Sequence, residues 1–289
     1  MTLIATLLSI AIDRYFGYLH EYRHYRHFLE YVKWVQTTLP GAISNGLVGV
    51  LLTLIPVLVV VAATQIWLTG LSLGGFFSLF FSIAVMVYCL GPRDLAIDAD
   101  SYCKACDMDN TSIRAASALH LTGLSEPPAD TGECISRVVK AILARSNDYM
   151  FAVIFWFVLL GPVGAVLYRT LSILYNFSEG NDRFQVWATH LYSIVSWIPA
   201  RMTALGYALS GHFDSAMEGW RIAHKEKKSG LLRTDYILIE TGLGALDMRG
   251  DDSVPEDHQP VRSSMRLVLR TLTIWLAALS VMTLAGWAV

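Results

Sequence analysis

Apolar positions along this chain gather into a few long uncharged runs, separated by polar stretches that repeat at helical spacing. From Trp34 to Pro92 there is no Asp, Glu, Lys or Arg. One membrane-spanning helix needs roughly 20 apolar residues, so a run of this length holds two. The segment TQIWLTGLSLGG (64–75) interrupts the apolar pattern with Gly, Thr and Ser and is the natural turn between them. The pattern predicts spans near 46–68 and 72–90, paired as a hairpin. A third span is predicted from Tyr149 to Tyr168, uncharged between Asp148 and Arg169. A fourth, TLTIWLAALSVMTLAGWAV (271–289), is entered through Arg266 and Arg270.

The segment FQVWATHLYSIVSWIPARMTALGYALSGHF (184–213) is long enough to span, yet Arg201 sits near its middle beside Pro199. An arginine at mid-bilayer costs about 2.5–3.5 kcal/mol on insertion scales, so it must face protein, water or the interface. Charge in the loops bears on the choice. With four spans, residues 170–266 would lie opposite the loop 91–148, although both are rich in Lys and Arg. If 190–211 crosses or re-enters, the basic stretch WRIAHKEKKSGLLR (220–233) returns to the cytoplasmic side, and this arrangement is preferred.

Between the spans the pattern is helical. In DLAIDADSYCKACDMDNTSIRAASALH (94–120), small and apolar residues recur at helical spacing, punctuated by Asp109-Asn110-Thr111. SEPPADTGE (125–133) reads as a turn that ends one helix and caps the next, and RGDDSVPEDHQPVRSS (249–264) as a polar linker. The N-terminal MTLIATLLSIAIDRYFG lacks a basic leader and a small-x-small cleavage site, which predicts a retained amphipathic helix at the membrane. The fold class is all-α: a polytopic membrane protein with four to five transmembrane helices plus amphipathic cytoplasmic helices. We expect one membrane-integral domain over 1–289. It comprises a juxtamembrane helix (1–35), the hairpin (46–90), a cytoplasmic helical loop (93–148), the third span with the Pro-Ala-Arg segment (149–211), a polar helical loop (212–266) and the C-terminal span (267–289).

Composition agrees. Of 289 residues, 54% are hydrophobic and 16% charged, against about 25% charged in soluble domains. A net charge of −2 argues against a general nucleic-acid binder. Cys103-x-x-Cys106 has no second pair at zinc-ribbon spacing, so with Cys89 and Cys134 these cysteines read as reduced cytoplasmic thiols; a redox or metal role is the alternative.

Candidate chemistry is sparse, and no catalytic residue is assigned. HEYRH (20–24) sets His20 and His24 four apart on a helix with Glu21 between them, the arrangement of a zinc hydrolase. The competing reading is an amphipathic interfacial helix, because the motif precedes a span rather than lying within one. ETGLGALDMRG (240–250) carries glycines without a phosphate-loop or dinucleotide pattern, which predicts close helix packing instead. Arg169 ends an uncharged run beside Tyr168 and could snorkel as an anchor. Arg201 interrupts an uncharged segment, and an intramembrane cation is a functional candidate by default. If both guanidiniums faced one cavity, their planar donors would suit a phosphate or carboxylate.

FWFVLLGPVGAVLYR (155–169) resembles the Gly-x-x-Gly-Ala-x-x-Tyr-Arg segment of the CbiB/CobD and AmpE superfamily of bacterial inner-membrane proteins. SWIPARMTAL (196–205) is similar to its Ile-Pro-Ala-Arg-hydrophobic-Thr block, and Asp13-Arg14 and TDYILIETGLGALDM (234–248) stand in matching order. The resemblance covers nearly the whole chain. One branch implies a cobalamin-pathway amide synthase using ATP and Mg²⁺. The AmpE branch implies a sensor or signalling modulator of β-lactamase induction. The synthases carry acidic runs where this chain has ARSNDYMFAV (144–153), TLSILYN (170–176) and HLYSIVSW (190–197). Mg²⁺ needs oxygen ligands, so the departures favour the AmpE branch, with the synthase kept as the alternative. The resemblance implies a multi-pass protein in the inner membrane of a Gram-negative bacterium. It also implies an anion site at Arg169, Arg201, Tyr168, Asp13 and Arg14, no assured cofactor, and Mg²⁺ and ATP only for a synthase. Expected partners are membrane lipids and an anionic molecule, a cell-wall fragment or lipid phosphate, and no nucleic acid; a homodimer is left open.

Overall fold

The computed structural model describes residues 2–15, 25–38, 40, 46–70, 74–91, 95–126, 128, 130–177, 182–226, 231–248 and 258–285. Among them there are helices and turns and no strand, and the protein is an all-α membrane protein. Three helices are long and apolar enough to cross a membrane: Leu47–Thr69, Thr131–Leu160 and Gln259–Leu284. Leu3–Asp13 and Gly74–Cys89 are shorter apolar helices. The chain divides into two compact units, each drawn from separated stretches of sequence.

The first unit holds Met1–Pro92, Ala152–Ile198 and Leu279–Val289. Helix α1 (Thr2–Tyr15) packs on α4 (Gly74–Cys89), where the Ser9 hydroxyl donates to the Ile83 carbonyl at 3.4 Å. Helix α2 (Arg26–Thr38) buries Val32 and Val35 and packs on α3 (Leu47–Thr69), where the Tyr31 hydroxyl donates to the Leu52 carbonyl at 2.9 Å. Outside these contacts α3 and α4 present Val60, Ile66, Trp67, Phe76 and Phe80 outward. Apolar surface of that kind suits hydrocarbon rather than water.

The third predicted span is corrected here. Tyr149–Tyr168 is not one helix. Helix α7 (Thr131–Ser146) continues through a π-helical turn (Asn147–Phe151) into α8 (Ala152–Leu160), and the chain then breaks before α9 (Pro162–Asn176). Gly161 takes φ 65°, a left-handed conformation that glycine adopts without penalty, and Pro162 opens the next helix. Pro162 brings no N–H to α8, and together with the positive φ of Gly161 before it this breaks an apolar run that looks unbroken in sequence. Gly164 then lets α9 lie against α8, since a Cβ there would run into the Trp156 carbonyl.

The second unit holds Arg93–Phe151 and Pro199–Ala278. Asn110 caps α6 (Thr111–Thr122) by accepting from the Ile113 N–H, and Asp130 caps α7 by accepting from the Glu133 N–H at 2.7 Å. Both punctuation marks expected from the sequence are therefore caps. Helix α5 (Leu95–Asp107) packs on α6, and α6 on α7. Helix α10 (Asp182–Ser210) runs through Pro199 without ending. Helices α11 (Phe213–Lys225) and α12 (Leu231–Ala245) form a hairpin whose contact is made by glycines, as expected for 240–250. Helix α13 (Gln259–Leu284) begins inside the stretch expected to be linker; residues 249–257 lie outside the described ones.

Candidate functional site

Arg169 and its neighbour Tyr168 are carried by α9, which packs against α3, α4 and α8. Arg169 is only 4% exposed. Its Nε donates to the backbone carbonyl of Cys89 at 2.6 Å. Cys89 is the last residue of α4, where carbonyls lack intrahelical donors and the helix dipole is negative. A cation there satisfies an orphan acceptor and is itself compensated, which burial of a charge requires. The side chain therefore points into the unit and does not snorkel.

Tyrosines surround the same helix. The Tyr168 and Tyr192 hydroxyls lie 3.2 Å apart, and the rings of Tyr175 and Tyr192 stack at 4.9 Å between centroids. Tyr168 and Tyr192 are fully buried, and the Gln185 amide donates to the Tyr175 carbonyl. Asp13, half-buried on α1, belongs to this unit as well. The side chain of Arg14, and all of His20, Glu21 and His24, lie outside the described residues. Among the described residues no three His, Cys, Asp or Glu gather as metal ligands. All four cysteines are free thiols, and burial pushes the Cys103 and Cys106 thiols up.

Arg201 belongs to the second unit and is half-buried on α10. The sequence reading missed a polar cluster in that unit. Ser146 and Asn147 are buried where α7 passes into the π turn. Tyr207 of α10 donates to the Leu143 carbonyl at 2.9 Å and lies 2.5 Å from the Ser146 hydroxyl, while Thr203 donates to Asn147 Oδ1 at 3.2 Å. Asp148 follows on the same turn and repels Asp235 of α12, whose carboxyl is pushed up to about 7, first by burial and then by that charge. A π turn inserts one residue into a helix and often marks a functional place. The signal was present as Ser146-Asn147-Asp148, three polar residues at the mouth of an apolar run.

The model of a protein family described as "Regulatory signalling modulator protein AmpE" matches residues 1–252. The chain belongs to the AmpE family. Among curated proteins it is similar to the cobalamin biosynthesis protein CobD of Chromobacterium violaceum, 26% identical over 219 residues, covering 68% of this chain and 69% of that one. It is also similar to Protein AmpE of Shigella flexneri, 22% identical over 213 residues, with 71% and 73% covered. A second CobD, from Stutzerimonas stutzeri, is 34% identical over 86 residues, 28% of each chain. No solved structure matches significantly. Both relationships expected from the two arginine segments are therefore present, and the segments fall inside the matched region of this AmpE-family protein.

Proposed function

We propose that this AmpE-family protein is a sensor or signalling modulator of β-lactamase induction and cell-wall stress, seated in the inner membrane of a Gram-negative bacterium and governed by an anionic ligand. The observation that carries the ligand reading is Arg169: a buried cation whose Nε is held by the end carbonyl of α4. An anion competing for that guanidinium would loosen α9 from the end of α4, turning ligand binding into a change of helix packing within the first unit. Phosphate or carboxylate fits the planar fork of arginine, so a cell-wall fragment or a lipid phosphate has the right chemistry.

The test is native mass spectrometry of protein drawn gently from its own membrane, beside an Arg169→Ala/Arg201→Ala double variant. An anionic molecule carried by the wild type and missing from the variant supports the proposal and identifies the ligand. Equal loading of both removes it.

The second reading is a CobD-like amide synthase, supported by the CobD relatives and by the two carboxylates near the π turn. Mg²⁺ is often held by one or two carboxylates together with substrate phosphates, and Asp148 and Asp235 are the residues that would hold it. The ion would supply charge neutralisation at a transferring phosphoryl group. Turnover of Mg²⁺-ATP with cobyric acid, lost in Asp148→Asn, would favour this reading over signalling.

A further inference from the structure

Helix α13 carries a ladder of arginines where it enters the second unit. Arg262, Arg266 and Arg270 follow one another at intervals of four, so they stand on neighbouring turns of one side of the helix. The helix contains no Asp or Glu. From Thr271 to Leu284 it carries no charge at all, about 21 Å of helix at about 1.5 Å per residue. Arg270 is therefore the last charge before the apolar part of a helix long and apolar enough to cross a membrane, and Arg266 lies one turn outside it.

The three rungs are treated differently. Arg262 is neutralised within the unit: its Nη2 donates to Asp107 Oδ2 at 2.8 Å, and His258 Nε2 lies 3.2 Å from Asp107 Oδ1. Lys104 and Arg137 of the same unit are matched by acids four residues away, Asp100 at 2.7 Å and Glu133 at 2.6 Å. Arg266 and Arg270 are exposed, and among the described residues no acid or other acceptor meets either side chain. Leu269, beside them on the helix surface, is 45% exposed. Two like charges four apart repel one another, so the pair does nothing for the helix that carries it.

An anion from outside would change that balance. The start of a span is the depth at which headgroup phosphates lie, and an anionic leaflet attracts basic side chains placed there. The planar fork of arginine grips phosphate oxygens where lysine offers a point charge. We infer that Arg266 and Arg270 form a seat for the phosphates of anionic membrane lipid, with Leu269 against the first carbons of an acyl chain. The seat uses neither Arg169 nor Arg201 and stands or falls apart from the ligand proposed for them.

The experiment titrates full-length protein in neutral detergent with phosphatidylglycerol or phosphatidylcholine and follows bound lipid by native mass spectrometry. Wild type, Arg266→Gln/Arg270→Gln, Arg266→Lys/Arg270→Lys and Lys140→Gln are compared, the last removing an exposed cation of the same unit that lies on another helix. Wild type is expected to prefer phosphatidylglycerol. The glutamine pair should lose about thirtyfold in affinity for it, about fivefold for each basic side chain at an anionic surface. The lysine pair should keep part of the preference, and Lys140→Gln all of it. With the mutual repulsion gone, the glutamine pair should melt no lower than wild type in lipid-free detergent. Unchanged phosphatidylglycerol binding in the glutamine pair would overturn the seat. So would an equal loss in Lys140→Gln, which would show only the general charge of the unit, or a lower melting temperature of the glutamine pair, which would show the two arginines to be bound within the protein.

Discussion

The Arg169 side chain donates through Nε to the carbonyl of Cys89 at 2.6 Å, tying α9 to the end of α4 across 80 positions of sequence. The bond joins the arginine that closes a family block to a helix end that the block itself does not contain. Removing the donor breaks a buried hydrogen bond made by a charged group, which costs about 1.5–3 kcal/mol. Arg169→Gln should therefore lower the melting temperature in detergent, and Arg169→Lys should recover only part of the loss, since lysine lacks the Nε and the fork. Melting unchanged in both variants would show that the bond is dispensable.

The second unit uses the same device. Arg145 donates from Nη1 to the His120 carbonyl at 3.1 Å and from Nη2 to the Thr122 carbonyl at 3.0 Å, closing the end of α6. Gly123, at φ 69°, follows in the left-handed conformation, and a Cβ there would strike the Arg145 guanidinium. Arg145→Ala should cost about 1–3 kcal/mol through the lost charged hydrogen bonds. Gly123→Ala should cost about 1–2 kcal/mol in backbone strain, with the displaced arginine adding to it. Because both changes disturb one cap, their sum should exceed the cost of the double variant, which a double-mutant cycle in denaturant would measure.

How far the sequence reached follows from what each feature depends on. Uncharged runs and capping residues are local, so the hairpin of α3 and α4 and the caps at Asn110 and Asp130 were legible. The break at Gly161 was also local, but the apolar pattern masked it: hydropathy does not register a glycine at positive φ followed by a proline that lacks an N–H. The polar cluster was out of reach for another reason. Thr203 and Tyr207 meet Ser146 and Asn147 from about 60 positions away, with separations of 56 for Thr203–Asn147 and 61 for Ser146–Tyr207, so each looked like a stray polar residue. The burial of Arg169 was equally non-local, because its partner lies on α4.

Glycines set the approach of α11 to α12. A Cβ at Gly219 would run into the Glu240 carbonyl, and one at Gly244 into the Ser215 carbonyl. Backbone cannot swing aside as a side chain can, so the helices must separate. Gly219→Ala and Gly244→Ala should each cost about 1–3 kcal/mol, the usual range for overpacking. Their intrinsic effect on an isolated helix has the opposite sign, since alanine is the better helix former by about 1 kcal/mol. Faster limited proteolysis near 226–231 in both variants is the expected readout; unchanged or slower cleavage would mean that the hairpin tolerates the wider spacing.

Asp235 gives the second unit a dependence on pH. Its carboxyl is pushed from 3.8 up to about 7 by burial and by the charge of Asp148. With a native value above the unfolded one, the folded protein binds a proton that the unfolded chain has already released between those two values. Stability then falls as pH rises through that window, by linkage, and is flat above it. The contribution is fully present below about pH 4 and lost once pH passes about 7. Asp235→Asn keeps the shape without the charge, so it should remove this slope and melt higher than wild type at pH 8. Asp148→Asn should leave the burial effect in place but take away the repulsion, moving the midpoint to lower pH. Melting curves of the three proteins from pH 4 to pH 8 in one detergent would show it, and parallel profiles for wild type and Asp235→Asn would mean that Asp235 titrates as an ordinary surface carboxyl.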